Sequence, residues 1–300
     1  MAGRIEAGAG AGRAATPAGS GGVARTALSR RIVLAAIAVI AAGLLVPKAG
    51  QAKSLTAFYR VSWGGFPAAD LVLRFDRDGR AYRDAVRIKT VGPARWLTHF
   101  RATAHAEGMI GGDGTIEPAR YRMIYNLHHR RRKRQMLDFV ARDGARIADY
   151  GVGDSGHKRE RLAEIYRRNV LDPLSALSRV REILWRGPIR AGEHFTLPVF
   201  DDTRRTAARF TVESAGGGGR PVRLHLELRT IASYKLLHRH RGRDDDDTTR
   251  EIELRLSGDG RLLPLSISAD VAVLPLTARF DHLCVDFAHC GPGAAPPKSN

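Results

Sequence analysis

The sequence predicts a mainly β (α+β) protein, built as a long curved antiparallel sheet or half-open barrel wrapped around one amphipathic helix. From Ser54 onwards, short runs of alternating apolar and polar residues are separated by turn-forming residues, which is typical of antiparallel strands. Only residues 172–186 carry apolar side chains at a clear helical spacing. Many strands and one amphipathic helix bury the apolar stripe of that helix most simply when the sheet wraps around it.

The predicted strands lie on both sides of the helix. Those before it span residues 54–63, 68–75, 82–90, 100–109, 119–127, 135–140 and 145–150. Those after it span residues 194–200, 205–214, 222–234, 249–256, 263–273 and 275–285. Asp76 to Gly79 and Gly216 to Gly219 have the composition of turns. Pro93 to Leu97 is interpreted as a short helical turn or loop that carries Trp96.

The helix has a start signal, an apolar stripe and a stop signal. Asp172 can accept hydrogen bonds from the first-turn amides, and Pro173 suits the first helical position. Gly187 and Pro188 end it. Its apolar positions recur three and four residues apart, at Leu174, Leu177, Val180 and Leu184.

Residues 30–52 are interpreted as a signal peptide or an N-terminal anchor. Paired arginines precede an apolar run of 15 residues, Ile32 to Val46, and small residues follow at Gly50 and Ala52. We expect cleavage after Ala52, because a retained anchor needs about 17–25 apolar residues. The paired arginines also resemble a twin-arginine signal. No cysteine lies directly after the run, where a lipid would be attached, so we do not expect a lipoprotein anchor.

The domain organisation follows from this export signal. Residues 1–29 are rich in Gly, Ala and Arg and are expected to form a disordered basic N-region. Residues 53–290 are expected to form a single β-rich domain that lies outside the cytoplasm. Residues 291–300 are expected to form a disordered tail.

The chain is basic, with 49 Lys and Arg against 31 Asp and Glu and a formal net charge of +18. Such a protein attracts nucleic acid, anionic lipid headgroups or phosphorylated polysaccharide, and export makes nucleic acid the least expected partner. A GC-rich coding bias toward arginine explains the charge equally well. The densest basic run offers candidates for binding phosphate groups, or else forms a solvated hairpin tip: Arg130, Arg131, Arg132, Lys133 and Arg134.

The two cysteines, Cys284 and Cys290, are predicted to form a disulfide, since an oxidising compartment permits one. Two inert thiols are an alternative, as is a metal pair with the flanking His282 and His289. The run from His238 to Asp247 places bases before four adjacent acids, which lack the ligand spacing of a calcium loop. We interpret that run as a self-neutralising loop and predict no metal site.

Three segments resemble an exported bacterial family, the domain-of-unknown-function family 3108. They are the opening strand Phe58 to Gly65, the helix from Asp172 to Leu177, and Leu197 to Asp201 after Gly192. The resemblance covers roughly Ser54 to Phe287. It implies a periplasmic location and a fold similar to the half-open β-barrels of lipoprotein carriers. It implies no activity and no catalytic residues.

No catalytic motif is present in the sequence. It contains no Gly-x-Ser-x-Gly elbow, His-Glu-x-x-His pair, phosphate loop or dinucleotide fingerprint, so we expect neither enzymatic activity nor a cofactor.

The leading hypothesis is a periplasmic binding or carrier module for a lipid, an anionic glycan or a protein partner. The alternatives are an envelope hydrolase or polysaccharide-modifying enzyme with an unrecognised site, and a scaffold without a ligand. Membrane contact is expected only through residues 32–46, if they are retained. The candidates for lining a ligand cavity are Leu174, Leu177, Val180, Leu184, Trp63 and Trp96.

Overall fold

The computed structural model describes residues 54–126, 132–152, 161–187, 190–233, 236–237, 249–271 and 274–285. The chain divides into two compact units, Met1–Gly50 and Gln51–Asn300, and every described residue lies in the second. The predicted N-region, export segment and tail therefore lie outside the described residues. Among the described residues, no helix combines the length and apolar character needed to span a membrane.

Thirteen antiparallel strands form one sheet, in the order β7-β6-β5-β4-β3-β2-β1-β13-β12-β11-β10-β9-β8. The first seven are β1 Ser54–Trp63, β2 Phe66–Asp78, β3 Ala81–Thr90, β4 Arg101–Ile110, β5 Ile116–Asn126, β6 Lys133–Arg142 and β7 Ala145–Tyr150. The last six are β8 His194–Phe200, β9 Arg204–Ser214, β10 Gly219–Ser233, β11 Arg250–Gly258, β12 Pro264–Val271 and β13 Leu274–Val285. Seven strands before the main helix and six after it confirm the prediction.

The sheet curls into a nearly closed barrel. β1 pairs with β13, so the strands before and after the helix belong to one sheet, whose edges are β7 and β8. The segment between these edge strands bridges much of the gap. Asn169 donates its amide to Arg146 of β7 (2.7 Å), and Leu171 donates its amide to Pro198 of β8 (2.9 Å). These parts of both edges are thereby paired, which limits strand addition from another chain there.

Antiparallel pairing places the turns at two ends of the barrel. We call the end that carries Trp63 and Phe66, between β1 and β2, the aromatic end. Strand register puts the connections β3–β4, β5–β6, β8–β9, β10–β11 and β12–β13 at this same end. The connections β2–β3, β4–β5, β6–β7, β9–β10 and β11–β12 lie at the opposite end.

Among the described residues, two α-helices accompany the barrel: α1, Gly92–Thr98, between β3 and β4, and α2, Pro173–Arg186. α2 starts near the aromatic end, where the Asp172 carboxylate accepts from the amides of Leu174 and Ser175 (both 3.0 Å) as predicted for an N-cap. It ends near the opposite end, where Arg186 donates to the carbonyl of Gly112 (2.7 Å). α2 packs against β3, β4, β5 and β8, so it lies inside the barrel.

One predicted turn is wrong. Asp76, Arg77 and Asp78 continue β2 and pair with β3, and the chain turns only at Gly79 and Arg80. The polar composition that suggested a turn has another cause, because the Arg77 side chain points into the barrel and binds Asp84 there. The predicted helical turn around Trp96 is confirmed as α1.

Candidate functional site

A cavity lies between the N-terminal half of α2 and strands β8 to β12. Its volume is about 670 Å³, within the range of roughly 300–1,000 Å³ that is usual for ligand pockets. Its walls are mostly apolar and include Leu177, Val180, Phe210, Leu226, Ile252 and Ile267.

The cavity exists because side-chain size changes along the strands that face α2. Near the aromatic end the inward positions are small or polar, such as Ala208, Thr230 and Ser233. Deeper in the barrel, Leu224 and Leu256 are fully buried and pack with Leu184 of α2 in one core cluster. This cluster forms a floor, and among the described residues the polar side of the cavity, with Thr230, Ser233 and Arg250, lies toward the aromatic end.

Polar residues surround the opening. Asp201, in the β8–β9 turn, accepts from the amides of Thr203 (3.0 Å) and Arg204 (2.9 Å), and its other oxygen pairs with Nε of Arg204 (3.1 Å). Arg250 is the first residue of β11 and is exposed. Among the described residues, no carboxylate lies within ion-pair distance of Arg250. Of the two guanidinium groups there, that of Arg204 is paired with a carboxylate, and that of Arg250 has no carboxylate partner among the described residues.

The opposite face of α2 is tied to the barrel by a buried polar network. The Arg77 guanidinium binds the Asp84 carboxylate (2.7 Å) and donates to the hydroxyl of Ser178 (2.7 Å), which in turn donates to Asp84. Burial raises the pKa of the Asp84 carboxyl, while Arg77 opposes that rise. This charge pair orients α2 relative to β2 and β3.

A second part of the network lies at the start of α2. The hydroxyls of Tyr82 and Ser175 share a hydrogen bond (2.6 Å), and Ser175 donates to the Asp172 carboxylate. Complete burial is the main cause that raises the pKa of Asp172 to about 6. Among the described residues no histidine joins these serine–aspartate contacts, so they lack the base of a Ser-His-Asp triad. Their geometry is that of a helix anchor.

Comparison with known proteins identifies the family. Residues 59–273 match the family described as "Protein of unknown function (DUF3108)". The chain belongs to the DUF3108 family. The matched region runs from β1 to the connection between β12 and β13, and so includes α2 and the whole cavity.

A solved structure is also similar to this DUF3108 chain. It is the crystal structure of a beta-barrel-like protein of domain of unknown function DUF1849 from Brucella abortus. The two are 11% identical, the match covers 79% of this chain and 99% of the other, and the TM-score is 0.49. Among curated proteins, none matches this chain.

The structure separates the predicted cavity residues into two groups. Leu177 and Val180 line the cavity. Leu174 instead packs with Tyr82 and Phe200, and Leu184 lies in the floor. Trp63 and Trp96 do not line the cavity, and both are exposed at the aromatic end.

The other predicted site residues are only partly described. Arg132, Lys133 and Arg134 are exposed at the aromatic end, where β6 starts, whereas Arg130 and Arg131 lie outside the described residues. Cys284 is buried near the end of β13, and its predicted partner Cys290 is not among the described residues, so their disulfide stays a prediction. The run 238–247 is likewise outside them. Within the described part of the chain, no cluster of three or more potential metal ligands occurs.

Sequence reasoning missed the residues at the opening and in the network. Arg204 and Arg250 stand at strand starts, where a basic residue is ordinary, so only the barrel brings them together. Asp84 did carry a signal, since it lies between Tyr82 and Val86 at the inward positions of β3. A carboxylate among inward apolar residues requires a buried partner, and Arg77 supplies it.

Proposed function

We propose that the protein is a non-enzymatic binding or carrier module of the periplasm, which holds the apolar chain of an envelope lipid in the cavity. The observation that carries the proposal is the apolar cavity beside α2, floored at one end and open at the other. Export remains an expectation from residues 30–52 and is part of the proposal.

The wall chemistry favours a lipid over a glycan. Each sugar hydroxyl buried without a partner costs about 1–3 kcal/mol, and the deep walls of the cavity offer side chains such as Leu226 and Ile252 rather than hydrogen-bonding groups. A glycan could therefore be bound only at the opening. An alkyl chain is suited to the interior, because burying it removes apolar surface from water at about 25 cal/mol per Å².

The volume favours a single alkyl chain. A water molecule takes a share of about 30 Å³ in the liquid, so the cavity has room for roughly twenty groups of that size. A methylene group is of similar size. One acyl chain of ordinary length fits this space. The Arg250 guanidinium at the opening favours a ligand that ends in a carboxylate or phosphate.

A displacement assay tests this proposal. The fluorescent fatty acid cis-parinaric acid is the probe, and palmitate is the competitor. Leu228 lines the cavity, so Leu228→Trp should fill it and lower the affinity for the probe by tenfold or more, a change of about 1.4 kcal/mol. Val140→Trp is the matched control, since Val140 lies on the outer face of β6 and is already exposed.

Thermal denaturation of both variants verifies that the barrel is folded. Equal probe binding by the Leu228→Trp protein and the unaltered protein would contradict the proposal, as would the absence of any palmitate-displaceable binding.

A further inference from the structure

The aromatic end of the barrel carries an exposed apolar surface. Trp63, Phe66, Trp96, Val271 and Leu274 are between 37% and 81% exposed. Two of the three tryptophans of the chain are among them. Single exposed apolar residues are ordinary, but a contiguous group of large ones marks an interaction site.

The five side chains belong to neighbouring elements. The indole Nε1 of Trp63 donates to the carbonyl of Val271 (3.4 Å), which joins the end of β1 to the end of β12. The Gly64 amide donates to Pro275 (2.9 Å), which holds the β1–β2 turn against the start of β13. α1, with Trp96, packs on β2. We call these five residues the apolar rim.

Basic residues occupy the same end of the barrel. Arg95 of α1, Arg101 at the start of β4, Arg132 and Lys133 at the start of β6, and Arg250 at the cavity opening are all exposed. Among the described residues, the exposed acids on the strands near this end are Asp70, Glu251, Glu253 and Asp270, and they are fewer than the exposed bases. The rim therefore combines large apolar side chains with an excess of positive charge.

We propose that the apolar rim and its basic neighbours dock onto the surface of an anionic lipid bilayer. Tryptophan suits this position, because its ring is apolar and its N–H remains near water at the headgroup level. Anionic headgroups attract arginine and lysine close to the surface. The positive charge near the rim complements anionic headgroups, so it favours an anionic bilayer over an uncharged apolar partner. Docking would turn the cavity opening, which lies at the same end, toward the lipid.

This inference goes beyond the proposed function and does not depend on it. A loaded cavity needs no membrane contact, and docking needs no ligand in the cavity. It also goes beyond the expectation that only residues 32–46 meet a membrane.

Intrinsic fluorescence of single-tryptophan variants of the full chain tests the docking orientation. Trp96→Phe with Trp185→Phe leaves Trp63, Trp63→Phe with Trp185→Phe leaves Trp96, and Trp63→Phe with Trp96→Phe leaves Trp185. Trp185 is the matched control, because it is also exposed but lies next to Arg186 at the opposite end. Vesicles of equal parts phosphatidylcholine and phosphatidylglycerol, with brominated acyl chains, quench a tryptophan that enters the bilayer.

We expect blue-shifted, quenched emission from Trp63 and Trp96 and unchanged emission from Trp185. Residues 32–46 are the same in all three variants, so any contribution from them is constant. Equal quenching of all three tryptophans, or of none, would overturn the proposal. A blue shift that grows with protein concentration and without vesicles would also overturn it, in favour of a second copy of the chain.

Charge-reversal variants provide a second test of docking. Arg95→Glu should weaken vesicle binding by about threefold or more, since each basic residue near an anionic surface contributes measurably. Arg83→Glu is the control, because Arg83 is exposed near the opposite end. Leu228 lines the cavity and is not part of the apolar rim, so Leu228→Trp should bind vesicles as the unaltered protein does. Loss of ligand binding in the cavity and loss of membrane docking are therefore distinguishable. Equal effects of Arg95→Glu and Arg83→Glu would contradict docking through the aromatic end.

Discussion

At the scale of single residues, the cavity opening contains two arginines in different electrostatic states. Arg204 is compensated by Asp201, whose carboxylate also organises the β8–β9 turn. Arg250 has no such counter-charge among the described residues. A ligand carboxylate or phosphate therefore gains most from Arg250, because Arg204 would have to share its charge with Asp201.

This difference predicts headgroup selectivity. Arg250→Gln should weaken palmitate binding about threefold to fivefold, as expected for an exposed ion pair worth about 0.7–1 kcal/mol. It should leave binding of the uncharged hexadecanol unchanged. Competition against cis-parinaric acid measures both, and Arg83→Gln, far from the opening, is the control. An equal loss for palmitate and hexadecanol would show that Arg250 acts through the structure rather than through charge.

Arg77 is a residue whose environment could not be predicted from its neighbours in the sequence. Arg77 is preceded and followed by aspartates, so its surroundings predict a turn, yet its side chain forms a buried ion pair with Asp84. The pair joins the adjacent strands β2 and β3, and only the register of these strands reveals it. Asp76 lies opposite Arg83 and Arg77 opposite Tyr82, so the Arg77 side chain reaches Asp84, two residues beyond Tyr82 along β3. Local composition carried no information about which side of the strand would be buried.

At the scale of elements, α2 has two buried faces of opposite character. Leu177 and Val180 face the cavity, whereas Ser175 and Ser178 face β3 and the polar network. The sequence predicted the apolar stripe and the N-cap correctly. It could not predict the second face, because a serine on a helix is usually exposed, and here Ser175 and Ser178 are fully buried.

The Asp172 cap predicts a pH dependence. Its pKa is raised from 3.8 to about 6 by burial, so its contribution to the free energy of unfolding is full below pH 3.8 and is lost as the pH rises through about 6. Asp172→Asn keeps a good N-cap without this titration. Relative to this variant, the unaltered protein should lose on the order of 2–3 kcal/mol between the two pKa values.

Urea denaturation at pH 4 and pH 7 measures the difference. Asp113→Asn is the control: hydrogen bonds with Thr115 lower the pKa of the exposed Asp113 carboxyl, so its contribution is not lost as the pH rises. A constant difference between the unaltered and Asp172→Asn proteins across this range would contradict the account of the cap.

At the scale of the whole molecule, barrel closure and cavity volume are properties that no local pattern contains. Alternation predicted the strands because each strand has one face toward the core. The pairing of β1 with β13, and the bridge from β7 through residues 167–171 to β8, join segments distant in sequence. The cavity depends on small differences among Ala208, Thr230 and their neighbours, which matter only once the strands face α2.

The central claim is that the cavity holds a single-chain lipid, and native mass spectrometry of the protein purified from the cells that produce it tests this most directly. We expect one adduct with the mass of a single-chain lipid per protein molecule. The adduct should be absent from Leu228→Trp, which fills the cavity, and present in Val140→Trp. A protein without any lipid adduct, or an adduct retained equally by Leu228→Trp, would contradict the account.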